Sequence, residues 1–108
     1  MSEARIVLTT IGSAEEGRKL ARLLVDRQLA ACVNLVPRIE SIYRWQGAVE
    51  QAEEVLLLIK TTRSAFPKVQ ETIQENHPYD LPECVSVEVD AGSERYLSWI
   101  SESVFPQK

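Results

Sequence analysis

The chain has 108 residues, 44% of them hydrophobic, which suits one domain with one apolar core and is too little for two. Sixteen acidic against twelve basic residues give a net charge of −4, and no Lys/Arg cluster or basic stripe runs along the chain, so nucleic acid is not an expected partner. No stretch approaches the ~18 consecutive apolar residues of a membrane helix, and Met1-Ser2-Glu3-Ala4-Arg5 leads into a strand pattern without a signal-peptide signature, so the expected location is the cytoplasm.

Ala4 to Ile11 is β-branched and almost continuously apolar, the pattern of a central strand covered on both faces. Gly12-Ser13 ends it. Ser13 with Glu16 three residues on forms a capping-box pattern, and Gly17, Leu20, Ala21 and Leu24 then recur at helical spacing, predicting a helix that ends near Gln28.

Ala31 to Thr62 reads as one very long β-hairpin turning near Gly47. Odd positions of its first arm (Val33, Leu35, Ile39, Tyr43, Trp45) are apolar. Pro37 interrupts that arm and Ile42 breaks the phase, so a bulge is expected at Pro37-Arg38. The second arm rises from Val49 to the run Val55-Leu56-Leu57-Leu58-Ile59, which again suits a strand covered on both faces. At ~3.3 Å per residue each arm would reach roughly 45–50 Å, against a radius of gyration of about 13 Å for a domain of this size. The hairpin should therefore overhang its domain and be covered by other copies of the chain, with Tyr43, Trp45 and Trp99 as interface candidates.

Phe66, Val69 and Ile73 set up a second amphipathic helix with Pro67 in its first turn, ended by Pro78. A polar loop, Asn76 to Glu83, precedes a fourth strand in which Val85, Val87 and Val89 are expected to face the interior. Gly92-Ser93 cap a last helix carrying Tyr96, Leu97, Trp99, Ile100 and Val104. The order strand-helix-strand-strand-helix-strand packs economically only as an α+β, ferredoxin-like split βαβ sandwich: a four-stranded antiparallel sheet with both of those helices on one face. One domain is expected to span residues 1–108.

His77 is the sole histidine. It lies at a helix C-terminus in a loop where Tyr79, Asp80 and Glu83 crowd a phenol and two carboxylates between Pro78 and Pro82, a polar density typical of loops that line sites. That loop is expected to be at least half exposed. No Gly-x-Ser-x-Gly, P-loop, His-Glu-x-x-His or Cys-x-x-Cys pattern occurs, so no catalysis is expected. The cluster Glu50, Glu53, Glu54 reads as a solvated or salt-bridging face, and Cys32 and Cys84 as buried, reduced thiols.

Five blocks, Ala30-Ala31-Cys32-Val33-Asn34, Ser41 to Gly47, Leu58-Ile59-Lys60-Thr61, His77 to Glu83 and Tyr96-Leu97-Ser98-Trp99, together closely resemble the CutA divalent-cation tolerance family along nearly the whole chain. The resemblance implies a ferredoxin-like subunit in a tight PII-like homotrimer and a role in tolerance of copper and other divalent cations. It points to His77 as a candidate ligand for a divalent metal ion such as copper, and Asp80 or Glu83 of the same loop are the oxygen ligands that could join it. The alternative it leaves is a signalling or scaffold module binding a small ligand or protein in inter-subunit clefts, with Lys60 and Tyr79 as lining candidates. The chain departs from the family's metal-linked pattern in having Thr9-Thr10 where some members carry cysteine and Asn76 where some carry a second histidine.

Overall fold

The computed structural model describes residues 2–105. The elements are β1 (Ala4–Ile11), α1 (Ala14–Asp26), β2 (Cys32–Trp45), β3 (Ala48–Thr62), α2 (Phe66–Asn76), β4 (Val85–Glu88) and α3 (Glu94–Ser103). They form one sheet in the order β2-β3-β1-β4 with antiparallel neighbours throughout, so β1 and β2 run parallel on either side of β3, as a split βαβ unit requires.

Helix α1 starts where Ser13 Oγ accepts the Glu16 N–H at 3.2 Å and, in turn, lies 3.0 Å from the Glu16 carboxylate. Its buried stripe is Gly17, Leu20, Ala21 and Leu24, the four positions the periodicity marks. At Gly17 helix and sheet approach closely: a Cβ there would sit 3.2–3.3 Å from Leu35, Ile11 and Leu57. The core lies between this face of the sheet (Val7, Ile11, Val55, Leu57, Ile59) and α1 and α2, which contributes Val69 and Ile73.

The hairpin turns through Gln46 (φ 49) and Gly47 (φ 83), both in the left-handed region, as a two-residue turn of the I′ kind demands. Gly47 has no neighbour within reach of a Cβ, so its backbone conformation alone selects glycine. The bulge falls where proline and phase place it: the register with β3 slips between Val36 and Ile39, and Arg38 takes φ 60. Its consequence is an exchange of faces. Val33 pairs with Ile59 on the helix side, whereas Ile39 pairs with Glu54 on the opposite side, followed there by Ser41, Tyr43 and Trp45. β1 pairs with β3 only from Val55 to Thr62, so the hairpin beyond Glu54 overhangs the rest of the sheet, and the molecule's longest dimension is 43 Å.

Two expectations of burial require correction. Within this chain β1 and β3 are fully covered on one face only, since Ile6, Leu8, Leu56 and Leu58 on the face away from α1 and α2 remain partly exposed. The β4 valines also belong to that open face, because Val87 pairs with Ile6 and Val85 with Leu8, and each is 49% exposed. The alternation in β4 was legible, but it marks a face that this chain does not itself cover. Helix α3 buries Ile100 and Val104 and packs against β3 and β1, leaving Tyr96 and Trp99 half exposed.

Candidate functional site: a cleft between the hairpin and the His77 loop

Strand β4 pairs with β1 only from Arg5 to Leu8, so Thr9–Ile11 of β1 have the loop after α2 beside them instead of a strand. His77 caps α2 through its N–H to Ile73 O (2.9 Å) and turns its ring onto that edge. Nε2 lies 2.7 Å from Thr10 O. A carbonyl only accepts, so Nε2 carries the proton and Nδ1 offers the lone pair, which takes the Tyr79 N–H at 3.1 Å. The ring is 8% exposed and tilts against that of Tyr79, with centroids 4.6 Å apart. The loop is largely exposed, as expected of it, but His77 itself is buried at its base.

Tyr79, so positioned, donates its phenol to Glu54 Oε2 at 2.7 Å. Burial first, and then the hydrogen bond and charge of Glu54, raise the Tyr79 pKa well above the ordinary phenol range, so the group remains a donor. Glu54 is 7% exposed, which corrects the solvated-face reading of its cluster; Glu50, on the same face, and Glu53 are exposed as expected. Sequence reasoning missed Glu54 because alternation places it on the face of Leu56 and Leu58 without revealing that a loop some 25 residues later covers it.

Between the outer hairpin and the loop lies an open cleft of about 760 Å³. Its walls carry Tyr43, Trp45, Glu54, Tyr79, Asp80 and Glu83. Lys60 stands elsewhere: its Nζ donates to Tyr96 Oη (3.2 Å) and lies 5.5 Å from the Tyr96 ring centroid, beside Trp99. It lies six steps along β3 from Glu54, roughly 20 Å at ~3.3 Å each. Within one chain, then, Tyr79 lines the cleft and Lys60 does not.

The residues do not fit a metal ion at His77. Both ring nitrogens are committed to backbone groups, leaving no lone pair for a metal, and no three His, Cys, Asp or Glu side chains converge among the described residues. Cys32 and Cys84 are both free, and burial followed by the charge of Glu83 pushes the Cys84 thiol pKa up, away from the reactive thiolate.

A split βαβ sandwich with an overhanging hairpin, a partly exposed apolar sheet face and a cleft beside the hairpin defines a small α+β protein of the ferredoxin-like class. Residues 5–103 match the family model for the CutA1 divalent ion tolerance protein, and the chain belongs to that family. It is 49% identical over 98 residues to the divalent-cation tolerance protein CutA of Thermus thermophilus, covering 91% of this chain and 95% of that one. The solved structure of the Thermus protein aligns with TM-score 0.92 at 47% identity over 94% of this chain and 99% of its own. A chloroplastic CutA of Arabidopsis thaliana is 44% identical over 91% of this chain, which spans only 54% of the plant protein. The structure described as the periplasmic divalent cation tolerance protein CutA of Archaeoglobus fulgidus aligns with TM-score 0.91 at 32% identity, over 94% and 99% of the two chains.

Proposed function

We propose that the protein serves divalent-cation tolerance as a non-catalytic homotrimer that binds a small ligand in clefts between its subunits. The observation that carries this reading is the open sheet face: Ile6, Leu8, Leu56, Leu58, Val85 and Val87 form a continuous apolar surface on strands whose composition calls for cover on both sides. Other copies of the chain supply that cover, and the overhanging hairpin lets Tyr43 and Trp45 reach a neighbour, which then forms the outer wall of the cleft. The threefold count rests on the resemblance to trimeric PII-like proteins. The non-catalytic reading is supported by His77, whose committed nitrogens leave the one histidine unavailable as a general base.

Copper or another divalent cation reaches this protein, in this reading, by a route other than His77 with Asp80 and Glu83. We infer a reducing, cytoplasmic setting from the two free thiols, and cell fractionation checks it. Copper titration of wild type against His77→Ala tests the assignment: equal affinity supports the cleft reading, and loss of binding in the variant restores His77 as a ligand.

A further inference from the structure

Glu54 is a carboxylate withdrawn from water with no cation beside it. Among the described residues the one ion pair is Lys68–Glu71 on α2, and the one donor to Glu54 is the Tyr79 phenol on Oε2. Oε1 has no protein donor there, and it is not sealed in: Glu54 forms part of the cleft wall. A donor entering the cleft can therefore reach Oε1, and a cationic donor suits a carboxylate held this deep. Ala52, two residues away on the same face, and its partner Ser41 are small neighbours of Glu54, with Tyr43 next along β2.

The wall restricts the ligand. Asp80 and Glu83 add acidic charge at the loop, Tyr43 and Tyr79 offer aromatic surface, and Leu81 offers apolar surface. Arg44 is the one basic residue on the wall; by register it belongs to the face of the hairpin opposite Glu54, while Glu40 is engaged by Gln51 Nε2 at 3.0 Å. A guanidinium needs two open carboxylate oxygens for its paired bonds, and Tyr79 already occupies one of Glu54. A hard divalent cation needs six or more oxygens, and no such group converges here. An ammonium needs one open carboxylate oxygen and gains from aromatic faces around it.

Building on the cleft reading above, we propose that the cleft binds a small primary amine, its ammonium donating to Glu54 Oε1 and its apolar body lying against Tyr43 and Leu81. The volume of about 760 Å³ falls within the range of small-molecule sites.

Calorimetric titration of the intact protein with phenethylamine, against its neutral counterpart 2-phenylethanol, tests this directly. Wild type should bind the amine at least about tenfold more tightly than the alcohol, and Glu54→Gln, which keeps an acceptor for Tyr79, should lose that preference. Leu81→Ser, at an exposed position away from the charge, should weaken both probes together and gives a second readout should Glu54→Gln fold poorly. Equal binding of amine and alcohol, or an amine preference that survives Glu54→Gln, overturns the proposal. A trimer that takes up no amine overturns this inference alone, whereas amine binding to a monomer overturns the trimer and upholds the site.

Discussion

The Tyr79 phenol donates to Glu54 Oε2 at 2.7 Å across 25 residues of sequence, and this bond joins the loop after α2 to the hairpin. Tyr79→Phe removes the one donor that a buried carboxylate has among the described residues and should cost about 1–3 kcal/mol in denaturant unfolding at fixed protein concentration. The alkaline limb carries the same signature. Because the folded-state pKa of Tyr79 lies above its ordinary 10.0, the stability it confers is full below pH 10 and is lost as pH rises through the higher folded value. Phenolate absorbance should show a late-ionising tyrosine in wild type that is missing in Tyr79→Phe.

Thr9 points into the helix-side core, 0% exposed, with its Oγ1 lacking any partner among the described residues. Replacing it with valine keeps the β-branched shape and removes the orphan hydroxyl, so Thr9→Val should gain about 1 kcal/mol. Thr9→Ser keeps the hydroxyl, loses a buried methyl and should lose about 1 kcal/mol. Thermal unfolding of the two variants should move in opposite directions.

His77 holds the β1 edge at Thr10 and the turn at Tyr79 at once. His77→Ala should cost roughly 2 kcal/mol through two lost hydrogen bonds and a cavity. Because the ring aims Tyr79, the variant should also lose the late phenolate step. An unchanged tyrosine titration would show that the loop holds its shape without the imidazole.

Much of this was legible in the sequence, for identifiable reasons. Pro37 cannot donate to a ladder and Ile42 breaks the alternation, so the bulge could be read directly, and the stripe Gly17-Leu20-Ala21-Leu24 named the buried side of α1. The positions of Glu54 and His77 were not legible. Their surroundings are set by where β4 stops: a strand of four residues leaves the Thr10 carbonyl without a strand partner, and the imidazole fills that place. Alternation likewise showed that β1, β3 and β4 have apolar faces, but it carries no information on whether the same chain or another covers them. Val85 and Val87 read as interior for that reason.

The central claim is that the open face of Ile6, Leu8, Leu56, Leu58, Val85 and Val87, with the hairpin tip, is an interface between copies of this chain. Multi-angle light scattering at micromolar concentration tests it most directly, with Val87→Glu as a variant whose exposed position spares the core of the single chain. The account predicts a wild-type mass three times 12.2 kDa and a shift toward 12.2 kDa in Val87→Glu. A wild-type protein that runs as a 12.2 kDa monomer would contradict it.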